Sequence, residues 1–575
     1  MRGSAYKVPA VLLASAMGCS SPTQQALPQF VDVASQAGLH AEVTAGASDS
    51  KGHILEANTG GVALLDYDRD GDLDIYYVNG WRFGLQPGAD EGPSAHLYRN
   101  DGELEFSDQT FQAGVDYRGW GMGCAAWDAD GDGWTDLFVT AAGPDRYYQN
   151  QTDGTFVTGD GANFGALGWS TGMAAADYDG DGDVDVYVAG YVELSAAEIR
   201  GDWRRDEEAP APCTWRGVPA FCGPVGLPGA RDILQIRNAV GAFQDRSDLL
   251  RPRPAYYGLG AVAGDFDMDG DADIYVADDS TPNLLYRNDD THFFEIAEQA
   301  GVAVSADGRQ QAGMGIASAD LDGDGGVDLV VTNFSHDHVS VYTSQIHKSR
   351  AAAPSGAGSW LDVSYGHEVG RATLATLGWG VGLVDFDSDA DLDLFIANGH
   401  VYPGVGEAGI GTVYHQANQM FRNDGGQLHD VSRQSGEGLK VAASSRGAAF
   451  GDLDNDGDVD IVVVNLDDAP SLLRNDGGNR QNWLAVELIG RGYNRSGIGG
   501  RVEVTTLAGM QWRERRSGTG YLSQDDHRLH FGLAAATSAS VRVRWPDGQW
   551  QDLGEVASRQ YLLITRDDSE AEPQH

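Results

Sequence analysis

Seven nine-residue segments with aspartate at positions 1, 3, 5 and 9 limit what this chain can fold into more than any other feature. They read DYDRDGDLD (66–74), DADGDGWTD (128–136), DYDGDGDVD (177–185), DFDMDGDAD (265–273), DLDGDGGVD (320–328), DFDSDADLD (385–393) and DLDNDGDVD (452–460). Carboxylates at that density repel one another, so each segment needs a compensating charge. Their first aspartates are 49 to 88 residues apart, and such recurrence means one supersecondary unit built repeatedly.

The residue types point to a hard cation. The candidate ligands are Asp66, Asp68, Asp70 and Asp74; Asp128, Asp130, Asp132 and Asp136; Asp177, Asp179, Asp181 and Asp185; and Asp265, Asp267, Asp269 and Asp273. The remaining three segments add Asp320, Asp322, Asp324 and Asp328; Asp385, Asp387, Asp389 and Asp393; and Asp452, Asp454, Asp456 and Asp460. Carboxylate oxygens with a position-7 carbonyl suit Ca²⁺, while the His and Cys that zinc prefers are missing from the pattern. An EF-hand needs a bidentate Glu at position 12; here stand Tyr77, Val139, Val188, Val276, Val331, Ile396 and Val463, which predict a β-strand. Position 6 is glycine except for Ala390, so the sixth site is expected to be the weakest. Near-identical sites of this kind predict up to seven structural calcium ions rather than a catalytic one. Thirty-three aspartates lie in these segments; without them the net charge of −46 would be −13. The acidity is therefore mostly local, and it argues against a nucleic-acid partner.

Each unit repeats one grammar: a Gly-rich apolar run, the Asp loop, a β-branched run, then a strand ending in Arg-Asn-Asp-Gly-type turns. An aromatic-plus-acid strand closes it, at Phe106–Asp108, Phe243–Asp245, Phe294–Glu295 and Trp360–Asp362. Four short strands per unit predict a propeller blade. The seventh unit lacks its closing strand, and "FVDVASQAGL" (30–39) resembles the closers of other units. The expected fold is all-β: a seven-bladed β-propeller with calcium-binding loops, latched by its N-terminal strand, then a small C-terminal β-sandwich. The expected boundaries are 1–19 for a lipoprotein-type signal peptide, 20–27 for a linker, 28–478 for the propeller, 479–568 for the sandwich and 569–575 for a polar tail. Sandwich strands are expected at 483–489, 500–506, 510–516, 529–533 and 541–545.

The Asp pattern resembles the FG-GAP/VCBS repeats of integrin-α-like propellers, in which each such loop joins the innermost strand to the second and binds one calcium ion. "GIGGRVEV", "GYLSQDDHRLHFGL" and "VRVRWPDG" resemble the ASPIC/UnbV domain, which follows FG-GAP repeats in proteins related to cartilage acidic protein. The resemblance implies architecture more than activity.

Arg2, Lys7 and a short apolar stretch before "GCSSP" predict a lipoprotein-type signal with lipidation at Cys19; ordinary secretion is the alternative. Either way the chain is expected outside the cytoplasm, lipid-anchored in the cell envelope (outer membrane or cell surface) or secreted. The membrane would be met only through that anchor. In that oxidising setting Cys213 and Cys222 are expected to form a disulfide, and Cys124 to be a buried free thiol. Long inserts at 79–96, 190–233, 333–358 and 398–419 all join second to third strands, so they share the face opposite the Asp loops. That face is the expected recognition surface. His336, His338 and His400 are its candidate ligand surface, as a metal or acid–base cluster or as ordinary polar loop residues. "GWSTG" (168–172) matches a nucleophile-elbow pattern but occupies an innermost-strand position, so no catalytic residue is assigned. The expected function is binding or adhesion by a monomer, with an extracellular protein or glycan as ligand. The alternative is a carbohydrate-active lyase, dehydratase or hydrolase on the insert face.

Overall fold

The computed structural model describes residues 27–159, 168–200, 213–289, 292–346 and 359–566. The expected signal peptide, Cys19 and the polar tail lie outside these residues. The architecture is all-β and propeller-like. Each Asp loop joins an inner strand to a second antiparallel strand. The inner strands are Val62–Leu65, Trp120–Trp127, Ser170–Ala176, Gly258–Gly264, Gly313–Ala319, Gly378–Val384 and Ser445–Gly451. In the first six units the third and fourth strands follow in chain order, and Leu250–Arg251 adds a short parallel edge to the fourth. In the seventh unit the outermost strand comes from the N-terminus, with Phe30 opposite Asn475 and Asp32 opposite Leu473. Inner strands of neighbouring units touch in chain order, and Val62–Leu65 also touches Ser445–Gly451.

The composition of each strand follows from its place. Second strands such as Asp328–Asn333 are buried along their whole length, which is why they read as unbroken β-branched runs. Inner strands are rich in Gly and Ala because neighbouring backbones approach closely. A Cβ on Gly380 would stand 2.6 Å from the Ala448 nitrogen, and one on Gly172 2.6 Å from that of Ala261. "GWSTG" leads into the inner strand Ser170–Ala176, and Ser170 hydrogen-bonds Asp145. Its serine belongs to a strand, as expected.

An asparagine closing the third strand ties one unit to the one before it. Asn150 Nδ2 donates to the Thr135 carbonyl of its own loop (3.1 Å) and to Tyr67 of the preceding loop (2.8 Å). Asn288, Asn423 and Asn475 make the same paired bonds, to Ala272 and Tyr178, to Leu392 and Leu321, and to Val459 and Phe386. Asn100 reaches Leu73 and, across the chain's ends, Leu453 of the seventh loop (2.8 Å). Sequence reading took these asparagines for turn residues; their amides also satisfy buried carbonyls that would otherwise be costly.

Residues 482–566 form two sheets over a shared core that includes Leu484, Val502, Phe531, Val541 and Trp545. One sheet holds Leu529–Ala534, Asn482–Ile489 and Tyr561–Thr565; the other holds Met510–Glu514, Arg501–Thr505, Ser538–Arg544 and Trp550–Ala557. The strands Trp550–Ala557 and Tyr561–Thr565, the last among the described residues, were not expected from sequence. The strand expected to reach 516 ends at Glu514, because 515–526 leaves the sandwich and enters the propeller-like body. There Gln524 exchanges backbone hydrogen bonds with Val62 and Leu64, and Gly520 with Ile316. Leu522 accepts from Cys124, Ser517 accepts from Ala175, and Asp526 donates to Phe450. At the tip Tyr521 is fully buried, its ring 4.8 Å from that of Trp379. The segment is a plug held by the inner strands of five units.

Truncating the tip tests this. Tyr521→Ala removes a large buried ring and should cost about 3–5 kcal/mol in chemical denaturation. A loss under about 1 kcal/mol would mean that the plug does not hold the body together.

Candidate functional site

The Asp loops are shaped by their own backbone. In the seventh, Asp452 accepts from the amides of Asp456 (3.1 Å) and Gly457 (2.8 Å), and Asp456 from that of Asp458 (3.1 Å). Asp460, at position 9, accepts from Leu453 at 3.2 Å and from Asn475 of the third strand at 2.8 Å. The other six loops repeat the position-9 pattern through Asp74, Asp136, Asp185, Asp273, Asp328 and Asp393. The ninth aspartate thus anchors loop to strand, a role beyond the ligand role expected of it.

What the backbone leaves over points to a cation. Buried carboxylate oxygens of Asp68, Asp387 and Asp454 at position 3, and of Asp265 and Asp320 at position 1, have no hydrogen-bond partner. Carboxylate oxygens converge within 4.8 Å in Asp66–Asp68–Asp70 and Asp265–Asp267–Asp269, and, including position 9, in Asp128–Asp130–Asp136, Asp177–Asp179–Asp185 and Asp320–Asp322–Asp328. Burial, helped by the neighbouring aspartates, pushes Asp128, Asp177, Asp265 and Asp320 up to about 6, and Asp267 and Asp387 to about 7. Orphaned hard oxygens that resist ionisation are the donor set a divalent ion such as Ca²⁺ satisfies. At position 6 the backbone has φ from 91° to 114° in the six glycines and 82° in Ala390. The alanine therefore carries on the order of 1 kcal/mol of strain.

The sandwich covers part of this Asp-loop face. Residues 482–566 hold eleven arginines against eight carboxylates, in a chain of net charge −46. Arg544 lies 3.5 Å from Asp265 and Arg495 3.8 Å from Asp128. Arg528 donates to the Asp452 carbonyl and the Asn455 side chain, and the Tyr561 hydroxyl to Asp452.

The opposite face holds a cavity of about 400 Å³. Tyr191, Trp215, Phe221, Phe334, Trp379 and Tyr402 give it aromatic walls; Asn58, Arg216, Asp279, Arg309, Gln311 and His336 give it polar groups. Trp379 rests on Tyr521, so the plug closes the cavity from below. The expected disulfide is formed: Cys213 and Cys222, Cα atoms 5.2 Å apart, pin a hairpin of Cys213–Trp215 and Val218–Ala220 that delivers Trp215. Cys124 is a buried free thiol, also as expected. Three non-glycine residues with left-handed backbone line the cavity: Arg216 (φ 49°), Ser280 (64°) and His336 (73°).

The three candidate histidines do not converge. His336 lines the cavity, and its buried Nε2 has no hydrogen-bond partner. His400 lies behind Trp215, ring centroids 5.2 Å apart, fully buried. Its Nε2 meets the Ser335 hydroxyl and its Nδ1 accepts from the Tyr402 amide. Burial, with Arg446 and His336 nearby, lowers its pKa to about 3, so it stays neutral. His338 is buried elsewhere, 3.8 Å from Asp362 and beside Tyr365. Trp215 packs against both His336 (5.7 Å between ring centroids) and His400 (5.2 Å), while His338 lies apart from them. Sequence reasoning missed Trp215 and Tyr402 as wall residues; the disulfide bracket around Trp215 was the available clue.

Comparison with known proteins agrees with the strand grammar. Residues 66–139, 128–188, 265–331 and 385–463 match the FG-GAP-like repeat, and 490–571 match ASPIC and UnbV. Cartilage acidic protein 1 of Homo sapiens is 28% identical over 323 residues, covering 54% of this chain and 45% of that protein. Its Xenopus tropicalis counterpart is 27% identical over 300 residues, covering 51% and 42%. The chain thus spans under half the length of these curated relatives. Among solved structures, BBS1N in complex with ARL6DN aligns over 78% of this chain and 97% of its own, at 10% identity and TM-score 0.40. YCF48 bound to D1 peptide aligns over 76% and 99%, at 8% and 0.38. Likeness at that level carries no functional argument.

The raised carboxylates set a pH dependence. Their folded-state values lie above the ordinary 3.8, so the stability that protonation brings is present at low pH and lost as pH rises through about 6–7. The metal-free protein should therefore melt at falling temperature between about pH 4 and pH 8, whereas the calcium-loaded protein should not. Parallel melting profiles with and without calcium would contradict this assignment.

Proposed function

We propose that this chain, which joins FG-GAP-like repeats to an ASPIC and UnbV domain as cartilage acidic protein-type proteins do, is a calcium-stiffened extracytoplasmic binding protein. The seven units act as blades of one closed ring. Three features support closure: the N-terminal strand paired into the seventh sheet, the Asn100 bond to Leu453, and the contact between first and last inner strands. In every loop the aspartates at positions 1, 3, 5 and 9 hold Ca²⁺, and position 9 also ties the loop to its strand. The Cys213–Cys222 disulfide supports an oxidising compartment. Among the described residues no helix is long and apolar enough to cross a membrane, and an anchor at Cys19 remains the proposed membrane contact.

Recognition falls on the insert face, because the sandwich covers part of the Asp-loop face. The observation that carries this reading is the aromatic-walled cavity under the disulfide-pinned hairpin. Concave sites that join aromatic walls to convergent polar groups are where ligands are held. Binding is preferred over catalysis because two acid–base groups at this site are already engaged within the protein. His400 uses both nitrogens, and Asp279 accepts from the Tyr191 and Ser280 hydroxyls.

An array of glycans and extracellular proteins, probed with the calcium-loaded chain and with Trp215→Ala, tests the reading. Specific hits that weaken at least tenfold in the variant are expected. Hits that the variant retains in full would move recognition off this face.

A further inference from the structure

We infer that the insert-face cavity receives the end of a saccharide chain, an inference that rests on the binding reading above and narrows it. Two geometric facts select a chain end. The cavity is blind, since Trp379 at its floor is backed by Tyr521 of the plug, so a polymer cannot thread through. Its volume of about 400 Å³ has room for one or two sugar rings, and a folded protein surface cannot enter it.

The walls suit a sugar. Trp215, Phe334 and Tyr402 form one aromatic cluster, with centroid separations of 5.4 Å for Trp215–Phe334 and 6.1 Å for Trp215–Tyr402. Such walls pack against the apolar C–H faces of a pyranose. Hydroxyls need partners placed among them, and the cavity offers partners that the protein itself does not use. Arg216 is exposed, its guanidinium over the Trp215 ring at 5.6 Å from the centroid, with donors left for a ligand.

The backbone supplies an independent sign. Arg216, Ser280 and His336 come from three different loops, yet each holds the left-handed conformation, and all three line this cavity. Non-glycine residues held there are strained and gather where a ligand is gripped. Strain shared by three separate loops at one cavity fits a preorganised grip on small polar groups.

Competition on the calcium-loaded full chain decides the matter. For each glycan bound on an array printed through the reducing end, two free competitors are used: the disaccharide of its outer end and a disaccharide of its interior. The outer-end disaccharide should compete within about threefold of the whole glycan, and the interior one at least tenfold more weakly. Arg216→Ala, an exposed position that should not disturb folding, and His336→Gln should each weaken binding at least fivefold. Equal competition by interior segments, or hits that are all proteins and are lost in Trp215→Ala, would overturn the chain-end inference and leave the insert-face reading standing. Glycan hits indifferent to Trp215→Ala, Arg216→Ala and His336→Gln alike would overturn both.

Discussion

Everything in this molecule is arranged around carboxylates that should not be neighbours. Seven loops bring aspartates within 4.8 Å of one another or close to it, partly shielded from water, and burial and mutual repulsion both disfavour their ionised forms. Backbone amides bond to many of these carboxylates, position 9 in every loop, and give each loop its shape. The oxygens left over, such as those of Asp68, Asp387 and Asp454, are the ones the proposed cation would meet. Because the same loops carry the asparagine bonds between units, the charge problem and the joining of the units are one problem.

The consequence is a body with two unlike faces. On one, the sandwich supplies arginines to the outer side of some loops and drives a plug between the inner strands. On the other, variable inserts surround a blind cavity whose floor the plug supports through Tyr521 and Trp379. The C-terminal domain is therefore part of the propeller-like body in mechanical terms, and it supports the insert-face cavity without lying on that face.

Much of this was legible because it is local in sequence. Aspartate spacing identifies the loops, alternation and β-branched runs identify the strands, and the resemblance of 30–39 to other closing strands places the N-terminus against the seventh unit. The Cys213–Cys222 pair follows from its short bracket. What escaped depends on partners far away. Asn423 reads as a turn residue, and its second bond goes to Leu321, 102 positions earlier. Residues 515–516 read as strand because nothing local says that Ser517 will meet Ala175. His400 reads as a loop histidine, and only the fold buries it behind Trp215.

The most direct test of the account is the metal content of the folded chain. Elemental analysis of protein purified in millimolar calcium and freed of unbound ions should return seven calcium ions per chain, or six if the strained loop at Ala390 stays unfilled. A fully folded, cooperatively melting chain that holds none would show that the crowded carboxylates are tolerated by other means.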